Sequence, residues 1–221
     1  MSVRFDGATD EYFGASVVGT TGWTVTCWAK LQVDRNNYST IFAWDGAADD
    51  GLWFQTTDSG TSLMVWDGTS DRPFSIGAMS VGTWMFYALT RPTSTSVTLY
   101  AGAEDGALSS QTITTSSTGA YSAINVGNSP DSEWLNGNVA NLQCYSALLT
   151  QTEIEAERQS WDAVRTSGLV RHHRWRDAAE TVDYSGNGRS LSVGGSPTFA
   201  ADNPPITGTS AAAGFLPILM S

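Results

Sequence analysis

The chain has 221 residues, of which 22 are acidic and 11 basic, for a formal net charge of −11. That length allows one domain with a sizeable core and an appended segment. Lys30 is the one lysine, so the clustered positive charge that nucleic acid or an anionic membrane requires is absent, and neither is expected as a partner.

The opening, MSVRFDGATDEYF, has no basic n-region and no apolar h-region, from which no secretion signal is expected. No run reaches the roughly 18 apolar residues of a membrane span. From Gly22 onward, alternation dominates. GWTVTCWAKLQV sets Trp23, Val25, Cys27, Ala29 and Leu31 on one face and Thr24, Thr26, Trp28 and Lys30 on the other. YSTIFAWDG, GLWFQTTDSG, TSLMVWDGT, GTWMFYALTR and SVTLYAGAEDG repeat the pattern, each closed by Gly or Asp turn chemistry or by a polar cluster. This is the spacing of an all-β sandwich or barrel. Cys27 and Cys144 fall inside two such strands and are expected as buried free thiols. Two Cys and two His, far apart, do not make a metal site.

One helix is expected over 151–166. Thr150 is its N-cap and Glu153 completes a capping box. Ile154, Trp161 and Val164 follow at helical spacing, and Gly168 ends it. Strands resume in LVRHHRWRD and RSLSVGG around a DYSGNG turn. His172 and His173 read as strand residues covering a sheet face rather than as general bases. Past residue 194 the composition shifts to Pro, Ala, Gly and small polar residues, which reads as a linker over 195–221 behind a domain of 1–194. The chain closes on the apolar run Phe215, Leu216, Pro217, Ile218, Leu219 and Met220.

The order of these phrases resembles the laminin-G-like, concanavalin A-like lectin/glucanase jelly rolls. VRFDGATDEYF is similar to that family's first strand, and GWTVTCWAKL to its Phe-Thr-Val-x-x-Trp strand. GTWMFYALTR with SVTLYAGAEDGAL resembles the Trp-x-x-x-Ala-x-Thr and Leu-Tyr-x-x-Gly strands. INVGNSPDSEWLNGNVANLQCYSALLTQTEI resembles the closing turn, strand and helix start. The resemblance spans about residues 3–158 and implies a two-sheet antiparallel sandwich with one short helix and an extended C-terminal tail. In one respect the chain departs from the family: the SGNG segment, often ahead of the first strand, here lies after the helix. Edge strands added from the C-terminal side are therefore expected.

Glycoside hydrolases on this fold carry paired carboxylates in a Glu-x-Asp-x-x-Glu phrase. No such phrase occurs, so no catalytic residue is expected and the chain reads as non-enzymatic; Glu180 and Asp183 in AETVD have the wrong spacing for one strand face. No cofactor is required; calcium is the candidate ion, with Asp45, Asp49 and Asp50 as loop ligands and Asp67 and Asp71 nearby. For a sugar, Trp44, Trp53, Trp66 and Trp134 offer aromatic faces, and Asp45, Asp67, Asn128 and Asn136 offer polar partners. The resemblance extends to laminin-G-like proteins of tailed bacteriophages. It implies a virion decoration or appendage protein, assembled in the host cytoplasm, homo-oligomeric, and docked on other subunits through Phe215–Met220, with a surface glycan as a further partner. A freestanding lectin-like module is the alternative, and a glycoside hydrolase the third reading.

Overall fold

The computed structural model describes residues 2–35, 37–46, 51–58, 60–116, 120–176 and 181–206. The capping-box helix and fifteen strands fall within them. The apolar run Phe215–Met220, together with Asp49, Asp50 and Glu180, lies outside the described residues.

The strands form two antiparallel sheets. The first runs β10 (Ser109–Thr114), β9 (Ser96–Gly102), β8 (Met85–Thr93), β3 (Trp23–Leu31), β12 (Asn136–Tyr145), β1 (Ser2–Asp6) and β15 (Thr198–Ala200), with β13 (Leu169–His173) also paired to β12. The second runs β14 (Ser192–Gly194), β2 (Glu11–Ala15), β11 (Tyr121–Val126), β4 (Thr40–Gly46), β5 (Leu52–Thr56), β6 (Leu63–Trp66) and β7 (Asp71–Pro73). This is the expected two-sheet jelly-roll sandwich. No helix among the described residues is long and apolar enough to cross a membrane.

β3 shows why the sandwich forms. The face read from its alternation, Trp23, Val25, Cys27, Ala29 and Leu31, enters the main core against Phe42, Trp44, Phe54, Val65 and Ile124 from the facing sheet. Its other face is buried too. Trp28 joins a second cluster with Phe86, Tyr145, Ile154 and Trp161, and its indole N–H donates to the Arg158 carbonyl (3.3 Å). Thr24 donates to the Ala147 carbonyl and accepts from the Leu149 amide, both at 3.0 Å. Each large apolar side chain removed from water here contributes roughly 1.5–3 kcal/mol before ordering costs. Cys27 and Cys144 are free and buried, and burial pushes both thiols well above the ordinary value, which leaves them inert as nucleophiles.

The helix α1 is Gln151–Arg158, shorter than the expected 151–166. Its start is as read: Thr150 accepts from the Glu153 amide while Glu153 accepts from the Thr150 amide. Its end is set by Glu157, whose carboxylate accepts the amides of Val164 (2.9 Å) and Arg165 (2.7 Å) and folds the chain back. Trp161 turns into the second cluster, and Val164 is left in solvent.

The chain after α1 laces the two sheets together. β13 pairs with β12 on the first sheet, β14 with β2 on the second, and β15 with β1 back on the first. The third of these lies inside the segment read as a linker. Asp183 organises the SGNG turn by accepting the amides of His172, Ser185 and Arg189 at 2.8–2.9 Å. Arg171, buried, donates to the carbonyls of Arg189 (3.0 Å) and Ala15 (3.1 Å), tying β13 to β2. His172 and His173 are fully buried. His172 pairs with Asn141 (2.8 Å) and His173 stacks on Trp175.

Candidate functional site

The outer face of the second sheet carries one continuous cross-strand row: Phe13, Asn125, Ala43, Trp53, Trp66 and Asp71. Because side chains alternate along each strand, the neighbours Phe42, Phe54 and Val65 face the core while this row faces outward. Trp53 and Trp66 are direct cross-strand partners, with ring centroids 5.9 Å apart and planes tilted by 33°. They form the aromatic floor of a cavity of about 180 Å³, closed by Tyr38, Gln55, Asp71, Asp131 and Glu133.

Two turns hold this cavity in shape. The β6–β7 turn is organised by Asp67, whose carboxylate is wholly buried. It accepts from the amides of Thr69 (3.1 Å), Ser70 (3.0 Å) and Ser116 (2.7 Å), from the Thr69 hydroxyl (2.7 Å) and from Arg72 Nε (2.7 Å). Burial alone raises its pKa, but these donors outweigh it and hold the carboxyl far below the ordinary range. The turn thereby fixes Trp66 on one side and Asp71 on the other.

The β11–β12 loop delivers Asp131 and Glu133. Gly127 opens it at φ +86°, where a Cβ would meet the Phe5 ring at 2.3 Å. Ser132 sits at φ 64°, and the Ser132 amide donates to the Ser129 carbonyl (3.0 Å). The Glu133 carbonyl accepts the Thr40 amide (3.1 Å), which pins the loop to β4.

Glu133 is half-buried; burial raises its pKa above the ordinary value, while hydrogen bonds from Ser129 (3.0 Å) and Gln55 offset part of the shift. Gln55 is oriented by the Thr40 hydroxyl (2.9 Å). Tyr38 donates its hydroxyl to Asp71 (2.8 Å), and that bond, with burial, pushes the phenol up to about 12. The indole N–H groups of Trp53 and Trp66 are buried without an acceptor among the described residues. The cavity therefore sets two indole rings beside three carboxylates, a phenol and an amide, the mixture that holds a polar ligand with an apolar face.

The residues read from sequence divide sharply. Trp53 and Trp66 come together here. Trp44 belongs to the core: it is 0% exposed, stacks on Tyr121 and abuts Trp23, which leaves no face for a ligand. Asp67 is committed to its turn. Asn128 donates to Glu11 (3.2 Å), binding its loop to β2, and Asn136, at the start of β12, donates to the Asp6 carbonyl (3.1 Å) on β1. Trp134 is half-buried on the Glu133 loop but does not line the cavity. Asp45 is half-buried near the end of β4, where it pairs with Ala123. Among the described residues no group of three or more His, Cys, Asp or Glu is arranged to hold a metal ion. Of the hydrolase candidates, Asp183 is consumed by the SGNG turn. Tyr38, Gln55, Asp131 and Glu133 are additions that the pattern did not single out; the acidic PDSEW phrase reads from sequence as a plain turn.

A second cavity, of about 560 Å³ and more open, lies on the other sheet beside Trp84, Glu104, Asp105 and Pro205. Its aromatic is already engaged: Trp84 donates to Asp202 (3.0 Å) and lies under the Lys30 ammonium (5.2 Å), which itself pairs with Asp202.

Comparison with known proteins agrees with this architecture. Residues 5–155 match the family model described as the concanavalin A-like lectin/glucanases superfamily. A search of curated proteins finds no match. Among solved structures, the chain is similar to a protein from Bacteroides ovatus ATCC 8483 assigned to carbohydrate binding (TM-score 0.67, 12% identity, 94% of this chain and 61% of that one). It is similar to the native heptameric SAP-like pentraxin from Limulus polyphemus (TM-score 0.58, 16% identity, 87% and 94%). It is also similar to the enzymatically active domain of tailspike protein 2 of bacteriophage CBA120 (TM-score 0.51, 13% identity, 67% and 25%). The chain thus spans 61% of the Bacteroides protein's length and a quarter of the tailspike's. On the family match, which covers more than half of its residues, the chain belongs to the concanavalin A-like lectin/glucanases superfamily.

Proposed function

We propose that this is a lectin-like carbohydrate-binding module that seats a sugar ring on Trp53 and Trp66. The observation that carries this reading is the cross-strand tryptophan pair flooring a cavity ringed with hydrogen-bonding groups. A pyranose has an apolar face for the indoles and hydroxyls for the rim, and such stacking on aromatic side chains is a strong orienting contact. At about 180 Å³, the cavity is below the roughly 300–1,000 Å³ of drug-sized pockets. One ring, or the end of a chain, is the matching ligand. The resemblance of the fold to the Bacteroides protein assigned to carbohydrate binding supports the same reading. The sugar is bound and released intact. The test is a glycan array followed by calorimetry on the best ligand: Trp66→Ala abolishes binding while Trp134→Ala retains it, and no reducing ends accumulate. Equal binding by wild type and Trp66→Ala contradicts this site.

A second reading places the module on a virion, as a non-enzymatic decoration or appendage subunit. The tailspike neighbour, itself an enzymatically active domain, supports the virion placement and not the absence of catalysis; the apolar sequence Phe215–Met220 would supply the docking peptide. The two readings coexist if glycan adhesion is the subunit's task. Size-exclusion chromatography of the full chain beside a form ending at Ile206 tests it: an oligomer lost on truncation is the expected result, and an unchanged state counts against tail docking.

A further inference from the structure

Granting the sugar-binding reading, the charge of the cavity narrows the class of sugar. Among the described residues, its lining includes Asp71, Asp131 and Glu133 but no Lys, Arg or His. The adjacent base, Arg72, points to the opposite side of β7 and is held by Asp67. Two carboxylate oxygens offer about four acceptor positions. Glu133 receives Ser129 and Gln55, and Asp71 receives Tyr38, so acceptor capacity remains at both. Tyr38, Trp53 and Trp66 add three aromatic rings around the same volume, and a ring face attracts a cation within about 6 Å of its centre. Trp53 is 3% exposed and Glu133 is half-buried, while Asp71 and Asp131 stand at the exposed rim, so the carboxylates surround an aromatic cavity that opens to solvent.

An ammonium group carries three donors and no acceptor, the complement of this lining. A neutral hydroxyl can use only part of the acceptor excess, and an anionic sugar meets like charge in a partly buried setting. We propose that the cavity selects a sugar bearing a protonated amino group, such as a terminal glucosamine, over its neutral N-acetylated counterpart and over anionic sugars. The charges of Asp131 and Asp71 reinforce the effect of burial on Glu133, and a bound cation relieves both.

The experiment is calorimetry at pH 6 and low salt with short oligosaccharides of equal length: β-1,4-linked glucosamine, β-1,4-linked N-acetylglucosamine, and a glucuronate oligomer. Wild type binds the glucosamine oligomer about tenfold or more tightly than the acetylated one, and shows no heat with glucuronate. In Glu133→Gln and in the solvent-exposed Asp71→Asn that preference falls to near parity. Glu104→Gln, on the other sheet, removes the same net charge and leaves the ratio unchanged, which separates the cavity from the general attraction of an acidic protein. Unchanged thermal midpoints show that the variants are folded. If the acetylated oligomer binds as tightly and Glu133→Gln leaves the ratio alone, the charge selection is overturned while sugar binding stands. If neither this panel nor the glycan array yields a ligand, both fall together.

Discussion

At the scale of single residues, two identical Trp-Asp-Gly phrases end up doing opposite things. Trp44 of IFAWDG is core, and Trp66 of LMVWDG is cavity floor. The sequence cannot separate them, because Ile41/Ala43 and Phe42/Trp44 are both apolar pairs, as are Leu63/Val65 and Met64/Trp66. With apolar residues at both parities, alternation alone does not say which face is inside; the register against β5 and β11 decides. Asp67 was legible as turn chemistry, but the five hydrogen bonds it gathers draw on Ser116, which is far away in sequence. Removing its charge leaves several buried donors short of an acceptor. Asp67→Asn is therefore expected to destabilise the fold by about 2–4 kcal/mol in urea denaturation. By loosening the turn between Trp66 and Asp71, it also weakens any ligand held there.

At the scale of elements, local signals were readable and tertiary ones were not. The capping box of α1 is written within four residues, Thr150 to Glu153, and forms as read. The helix end depends on where the Glu157 carboxylate finds its donors, and those lie seven and eight residues ahead in a turn that helical periodicity disguises. Thr150→Ala is expected to lower stability by about 1 kcal/mol, measured by chemical denaturation, with ligand affinity unchanged because α1 packs on the sheet away from the cavity. The 127–135 loop shows the same limit. Its glycine and acidic residues read as an ordinary turn, and only the pairing of β11 with β4 brings Glu133 beside Gln55 and Trp53.

At the scale of the whole molecule, the C-terminal lacing through β13, β14 and β15 closes both sheets, and its core histidines make that closure sensitive to acid. Burial, with the positive charge of Arg174 beside His172 and of Arg171 beside His173, depresses them to about 3 and about 4. The ordinary value is about 6.5, so the unfolded chain takes up protons that the folded chain refuses. Their contribution is complete above about pH 6.5 and is lost as pH falls towards the folded values, at about 1.4 kcal/mol per pH unit for each group. Glu133 and Glu157, whose carboxyls burial holds up, act in the opposite sense over part of that range. The comparison is accordingly with His172→Gln: between pH 6.5 and 4.5 the wild type is expected to lose stability more steeply than the variant, and parallel curves would contradict the assignment. The most direct measurement of the central claim is a titration of the protein with its sugar ligand, followed through the indole N–H resonances of its nine tryptophans by nuclear magnetic resonance. The resonances of Trp53 and Trp66 are expected to shift in a saturable way while those of the core residues Trp23, Trp44 and Trp175 stay in place. Saturable shifts elsewhere with Trp53 and Trp66 unmoved would place the sugar on a different surface.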